Sequence, residues 1–294
     1  MRKILAPVAA LILGAAGVTL TAAPAEAAVG DVPADCSVDA PAYRSDGQRL
    51  VYGYAAGKTS VTSYQDDTLS WVPSALHAIH RAGEVGRLTT VDVAAHPTDG
   101  YLYQIDRQAQ LTDGVWKVTS KTATRMAPGF ADTRLLAGGG RYVFRVAGSS
   151  LYAYTVSWSD SGRYAVSAPL TLRTTGWDSV RTLDFARTED TGDAVVDVLI
   201  GTKSNGELKE WRVNRATPTT IDSTTLRTSG WSGFSTLTIG WWCAEHRSGR
   251  PLLGITPAGT ASVYFDANAR DANGVDIKGG SLGSLGWTAK SYGW

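Results

Sequence analysis

The feature that most limits how this chain can fold is a Gly-Trp pair that returns at a nearly constant interval. The pair closes three similar segments, Leu172–Trp177, Leu226–Trp231 and Leu282–Trp287, whose tryptophans are 54 and 56 residues apart. Gly129-Phe130 marks an earlier copy, and Glu84-Val85-Gly86 marks a weaker one. A regular interval of this length is the signature of a repeat architecture. We predict five repeats, at 37–85, 86–130, 131–177, 178–231 and 232–287.

Each repeat contains three or four short strand-like stretches separated by turn residues. Thr98-Asp99-Gly100 and Ser204-Asn205-Gly206 are typical turns, and no segment keeps a helical period. A four-stranded unit cannot bury both of its faces alone, so neighbouring copies must stack. Radial stacking predicts an all-β fold, a five-bladed β-propeller of four-stranded blades. The alternative, a β-sandwich, does not require a tandem repeat. In a propeller, the recurring tryptophan either wedges between blades or contacts a ligand.

The first 27 residues have the layout of a cleaved secretory signal peptide. Arg2 and Lys3 precede an apolar run over 4–20, and Ala25-Glu26-Ala27 matches a small-residue cleavage site. Cleavage removes two basic residues of 28 and one acidic residue of 27, which leaves 26 of each. We therefore expect residues 28–294 to form one propeller domain that is secreted to the extracellular space. No other stretch approaches the ~20 apolar residues of a membrane span, so we expect no membrane insertion.

Cys36 and Cys243 are the only two cysteines. In an oxidising compartment they pair by default, and their wide separation lacks the compact spacing of a metal site. A disulfide of this span restricts the unfolded chain by roughly 4–5 kcal/mol in the loop-entropy model. It would fasten the N-terminal arm onto the last repeat. The residues leave open whether Ser37–Arg44 or Thr288–Trp294 completes a sheet.

Charge and motif content argue against nucleic-acid binding and most enzymatic chemistry. The formal net charge is +1, whereas binding to phosphate backbones needs a basic excess. The chain has no G-x-S-x-G element and only four histidines. A glycoside hydrolase needs two carboxylates about 5–9.5 Å apart, and Asp92 and Asp184, expected at equivalent inner-strand positions, are the candidate pair. We expect no catalytic residue, metal or cofactor, and keep a five-bladed glycoside hydrolase as the less favoured alternative.

The Gly-Trp loops are the candidate ligand-binding sites. Sugar recognition needs a flat apolar ring face and a few fixed polar groups. Glycine leaves the backbone accessible, an arginine precedes it, and a polar residue follows the tryptophan. The candidate residues are Arg173, Gly176, Trp177 and Asp178 in one loop, and Arg227, Gly230, Trp231 and Ser232 in the other. The competing interpretation is that these arginines only solvate the edges of the blades.

A second apolar feature leaves a different function open. The doublet Trp241-Trp242 follows an expected inner strand, where it either belongs to the core or forms a docking surface. A propeller that docks another protein and binds no sugar is therefore the alternative to a carbohydrate-binding protein.

The repeat layout resembles the tachylectin family of five-bladed β-propeller lectins. The resemblance rests on Gly176-Trp177, Gly230-Trp231 and Gly286-Trp287, and on the count of five repeats. It implies that glycans, N-acetylated hexosamines among them, are held near the Gly-Trp loops. Val85 and Phe130 stand where the family pattern has tryptophan, so we expect two or three sugar sites rather than five.

Export, a disulfide and the size of the chain also make it similar to the lectin subunits of secreted umbrella-type toxin particles of filamentous bacteria. In such particles a sugar-binding propeller sits at the tip of a multi-protein antibacterial assembly. This resemblance implies protein subunits of a secreted complex as partners, and a targeting role. The sugar and the target cell stay open.

Overall fold

The computed structural model describes residues 29–139, 141–159, 162–240 and 243–293. In these ranges the chain is almost entirely β, with one short 3-10 helix, Val29–Asp31, ahead of 21 strands. No helix within them has the length and apolar character needed to cross a membrane. The predicted signal peptide and the doublet Trp241-Trp242 lie outside the described residues.

Most consecutive strands pair antiparallel with one another. The first seven are β1 Ser37–Tyr43, β2 Gln48–Ala55, β3 Lys58–Thr68, β4 Ala75–Glu84, β5 Arg87–Ala95, β6 Tyr101–Thr112 and β7 Val115–Pro128. The next five are β8 Thr133–Gly139, β9 Tyr142–Ala147, β10 Ser150–Trp158, β11 Tyr164–Val166 and β12 Leu170–Arg173. The remaining nine are β13 Val180–Asp190, β14 Val195–Lys203, β15 Leu208–Asn214, β16 Ile221–Arg227, β17 Thr236–Ile239, β18 Arg250–Ile255, β19 Thr260–Asp266, β20 Lys278–Ser284 and β21 Ser291–Tyr292.

Pairing arranges these strands in successive groups. Strands β13–β16 and β17–β20 form two four-stranded sheets, and β8–β12 form a third sheet of five strands. The other eight strands form one sheet in the order β21-β1-β2-β3-β7-β6-β5-β4. That sheet divides into two groups of four, because β3 and β7 meet at a single parallel pair, Gln65 opposite Lys117.

The second strand of a group is buried on both faces. In β14, every residue from Asp197 to Thr202 is buried, although alternate side chains point to opposite sides of the sheet. Consecutive residues of a strand are all buried when both faces of its sheet are covered. The groups therefore pack face to face with neighbours on each side.

The apolar cores lie between neighbouring groups. One cluster joins Phe144 of β9 with Leu199 of β14, and the next joins Ile200 of β14 with Leu252 of β18. A further cluster joins Tyr54 of β2 with Val263 of β19, so the first and last groups also share a core. Each group thus depends on its neighbours for burial, as expected for a repeat architecture.

The first and the last of the described strands lie in the same group. Strand β21 pairs with β1, with Ala42 opposite Tyr292 and Tyr43 opposite Ser291. The Gly293 N–H also donates to the Pro41 carbonyl oxygen over 2.9 Å. The sequence leaves open which terminal segment completes a sheet. In the structure both segments do so, because β1 and β21 are adjacent strands of one sheet.

The predicted disulfide is present between Cys36 and Cys243, which are separated by 207 positions and are both buried. It links the residue before β1 to the segment after β17, and the two cysteines also form a β-bridge. Asp35 lies beside them in the one cluster of three potential metal ligands among the described residues. Since both sulfur atoms are consumed by the disulfide, this cluster is not a metal site.

Candidate functional site

The three Gly-Trp loops share one backbone arrangement. The glycine of each loop has a positive φ, 86° at Gly176, 93° at Gly230 and 66° at Gly286, which glycine adopts without steric cost. The backbone N–H of the tryptophan then donates over 3.1–3.3 Å to a backbone carbonyl oxygen. This acceptor lies in the turn between the second and third strands of the same group. The acceptors are Ser149 for Trp177, Gly206 for Trp231 and Gly259 for Trp287.

The tryptophan rings of these loops are covered by the next strand group. Trp177 packs on Trp211 with ring centroids 5.0 Å apart, Trp231 on Tyr264 at 4.6 Å, and Trp287 on Tyr52 at 5.0 Å. Trp177 and Trp231 are only 4% and 6% exposed. A sugar needs an open ring face for stacking. In this structure the two rings are buried by packing, which agrees with the wedge interpretation, and their role in ligand binding stays a prediction.

The same aromatic wedge occurs at two more positions, one of which the sequence pattern missed. Phe130 packs on Tyr154 with ring centroids 4.8 Å apart, and its N–H donates to the Gly100 carbonyl oxygen. The remaining wedge is Trp71, which packs on Tyr103 at 5.1 Å. Val85, which marks the weaker copy in the sequence pattern, is fully exposed in the turn between β4 and β5 and is not a wedge.

The Gly-Trp pattern does not include Trp71, because Ser70 stands in the place of the glycine. The signal that could have found it is an aromatic residue a few positions before the first strand of a group. Trp71 precedes β4 at Ala75, much as Trp177 precedes β13 at Val180.

The arginines of the predicted sites are tied to the neighbouring group. An Nη atom of Arg173 donates to the Thr219 carbonyl oxygen, and one of Arg227 donates to the Ile277 carbonyl oxygen. These bonds join adjacent groups along their outer edges. The other predicted site residues, Gly176, Asp178, Gly230 and Ser232, are exposed, and their role in binding stays a prediction.

Trp158 provides the open aromatic surface that the Gly-Trp loops lack. Of the seven tryptophans in the described ranges it alone is exposed, with 58% of its surface accessible. It ends β10 and packs edge-on against Tyr164 of β11, with ring centroids 4.5 Å apart. The repeat pattern does not single out Trp158, because this residue stands outside the repeated marker.

A chain of polar groups leads away from this aromatic pair. The Tyr164 N–H donates to Gln104 Oε1 over 2.8 Å, and Gln104 Nε2 donates to both carboxylate oxygens of Asp106. Burial raises the pKa of the Tyr164 hydroxyl, and the nearby Asp106 charge raises it further. The surface therefore combines an apolar ring, a phenol and a fixed carboxylate, which we call the Trp158 platform.

Asp92 and Asp184, expected at equivalent inner-strand positions, lie on non-equivalent strands. Asp92 lies on β5, the second strand of its group, where it accepts from Arg107 Nη1 over 2.6 Å and lies 3.3 Å from Arg49 Nε. Burial raises the pKa of Asp92, but the two guanidinium charges outweigh it and hold the pKa below its ordinary value. Asp184 lies on the first strand, β13, and accepts the N–H groups of Phe185 and Ile239.

Asp266 is a buried carboxyl group whose protonation should affect stability. Burial, reinforced by the charges of Asp276 and Asp271, raises its pKa to about 7, against about 3.9 in an unfolded chain. Between these values the folded protein holds more protons than the unfolded chain, so this group makes the protein less stable as pH rises through the window.

We expect Asp266→Asn to raise the melting temperature at pH 8 by about 2–4 °C more than at pH 5. A shift of this size corresponds to about 1 kcal/mol in a domain of roughly 150–250 residues. Calorimetric scans of the variant and the parent at both pH values measure it, and an equal change at the two pH values would contradict the assignment.

Comparison with known proteins places the fold only distantly. No family model matches the sequence, and no curated protein matches it. A solved structure of the Aleuria aurantia lectin, a mutant in complex with alpha-methyl-L-fucoside, is similar with a TM-score of 0.40 and 9% identity, over 84% of this chain and 74% of that one. The structure of AofleA from Arthrobotrys oligospora is similar with a TM-score of 0.39 and 8% identity, over 84% of this chain and 86% of that one.

Proposed function

We propose that this chain is a secreted glycan-binding protein built as a closed ring of five strand groups, four of them with four strands and one with five. Five strand groups, cores shared between neighbours, and the pairing of β21 with β1 support the ring. The buried disulfide supports export, because disulfides persist in oxidising compartments. In this arrangement the five aromatic wedges separate adjacent blades.

The observation that carries the binding function is the exposure of Trp158. An exposed indole offers a flat apolar face on which the C–H side of a sugar ring can stack. Its edge-on contact with Tyr164 fixes the ring, and Asp106 provides an acceptor for sugar hydroxyl groups near the phenol. A pyranose would stack its C–H face on the indole and donate hydroxyl protons to the carboxylate.

The Gly-Trp loops would contribute weaker sites through their exposed backbone and polar groups. Asp178 and Ser232 are exposed beside glycines whose conformation leaves the loop backbone open. The resemblance to tachylectins suggests N-acetylated hexosamines at these loops, and the similarity to the Aleuria aurantia lectin adds fucosides as probes. Several weak sites on one ring would act together by multivalency.

A glycan array, followed by titration with alpha-methyl-L-fucoside and N-acetylglucosamine, tests the proposal. We expect Trp158→Ala to weaken binding of the preferred sugar about tenfold, equivalent to about 1.4 kcal/mol of lost stacking. The matched control is Leu170→Ala, because Leu170 is also an exposed apolar residue of the same sheet. An array without any bound glycan, or equal affinities for Trp158→Ala and the parent, would refute sugar binding at this platform.

A second candidate function, docking of a partner protein in a secreted toxin assembly, is favoured by a different surface. The tips of the β4–β5 and β6–β7 hairpins expose Val85, Leu111 and Val115, and the Leu111 N–H bonds to the Gly86 carbonyl oxygen between the tips. A pull-down from culture supernatant, with Val85→Asp and Leu111→Asp together as the variant, tests it. Retention of the same partner by the variant would exclude this surface.

A further inference from the structure

A cavity of about 310 Å³ lies between the first strands of four groups, β4, β8, β13 and β17. We call it the axial cavity. Two glycines on β8 leave room for the rings of Phe185 and His77 to pack against this strand beside the cavity. A Cβ atom at Gly139 would lie 2.0 Å from the Phe185 ring, and one at Gly138 would lie 2.6 Å from the His77 ring. The volume is at the lower end of the range for small-molecule sites, which suits a ligand the size of a single sugar.

Two arginines line this cavity, and they differ in whether a carboxylate is paired with them. Arg250 lines the cavity and is partly buried, and it forms no ion pair with any described residue. Arg187, which also lines it, is held by Glu189 and Glu210. Burial, then the positive charges of Arg187 and Arg270, lower the pKa of Arg250 to about 10, so the side chain is still cationic at neutral pH. A partly buried cation without a paired anion is unfavourable, and a bound anion would relieve that cost.

Three carboxyl groups act on the charge of Arg250, and one of them, Glu189, is already paired with Arg187 and Arg212. The other two oppose an anion only weakly. Asp184 lines the cavity, and its burial raises its pKa well above the ordinary value, so its neutral form persists to higher pH. Asp266 stands opposite Arg250 in the pairing of β18 with β19. Its own pKa of about 7 leaves much of it uncharged near neutral pH.

We propose that the axial cavity binds an acidic monosaccharide, whose carboxylate pairs with Arg250 and whose ring packs against Phe185. An arginine fork matches a carboxylate with two parallel hydrogen bonds, which makes the contact specific as well as strong. The apolar character of Phe185, Ala186 and Ile79 around the cation favours an organic acid over a small inorganic anion. This site is independent of the Trp158 platform, which lies on β10 and β11.

Titration calorimetry with glucuronate and with glucose tests this site, because the two sugars differ in the carboxylate that Arg250 would hold. We expect glucuronate to bind at least tenfold more tightly than glucose, and Arg250→Gln to remove that preference. Arg250→Lys keeps the charge but loses the fork, and should weaken glucuronate binding at least threefold. Arg247→Gln, an exposed arginine three residues away, is the control and should bind glucuronate like the parent.

Circular dichroism and melting curves first establish that each variant is folded, and Arg250→Lys carries the test if Arg250→Gln does not fold. Equal affinity for glucuronate and glucose in the parent would overturn the proposal. Unchanged glucuronate binding in a folded Arg250 variant would overturn it too. Trp158→Ala should leave glucuronate binding intact, so failure at one site is distinguishable from failure at the other.

Discussion

Replacing Cys36 and Cys243 together with alanine is expected to lower the free energy of unfolding by about 5 kcal/mol. The disulfide closes 207 positions of the chain, and in the loop-entropy model a loop of this length restricts the unfolded state strongly. The same bond holds the residue before β1 against the segment after β17, where the first and last groups share a core. Alanine is the better replacement, because both positions are buried and a serine hydroxyl there would be removed from water.

Urea unfolding of the parent and the double variant, followed by tryptophan fluorescence, measures the difference. The matched control is the double variant with and without reductant, since reductant should destabilise the parent and leave the variant unchanged. A loss below about 1 kcal/mol would mean that the pairing of β21 with β1 holds the chain ends together without help from the disulfide.

The repeated marker and the strand-like stretches were sufficient to predict the all-β class, and the two cysteines of a chain expected to be exported were sufficient to predict the disulfide. They could not predict how the chain ends pair, because β21 contains only two residues and carries no hydrophobic pattern of its own. Its position depends on tertiary hydrogen bonds, such as that from the Lys290 N–H to the Tyr43 carbonyl oxygen. Information of this kind is spread over distant parts of the sequence.

The candidate site was harder to predict than the fold, for a physical reason. A repeated tryptophan indicates a repeated environment, and in a stack of sheets the environment repeated most faithfully is the interface between neighbours. Trp177 and Trp231 occupy that interface, whereas Trp158 departs from the repeat and is exposed. The contacts of the arginines were equally hard to predict, since carbonyl acceptors such as that of Thr219 come from a different group. A binding residue is therefore better sought where one repeat differs from the others.

Trp231→Ala is expected to lower the free energy of unfolding by about 3–5 kcal/mol, the range for a large buried aromatic residue. Its ring packs against Tyr264 and Phe234, with centroids 4.6 and 5.8 Å away, so truncation opens a cavity between two strand groups. Trp231→Phe keeps most of the wedge, as Phe130 does in another repeat, and should cost less than half as much. Denaturant unfolding of both variants, with Ser232→Ala as an exposed neighbouring control, provides the measurement.

The same variants decide between the two roles that a Gly-Trp loop could have. If the ring acts as a wedge, Trp231→Phe should retain sugar binding, because the exposed loop backbone is held by the N–H bond from residue 231 to the Gly206 carbonyl oxygen, which phenylalanine also forms. If the ring contacted sugar, Trp231→Ala would lose binding while unfolding at nearly the parent's urea concentration. That second result would require the ring to leave its place against Tyr264 when a glycan binds, and would return Trp231 to the binding site.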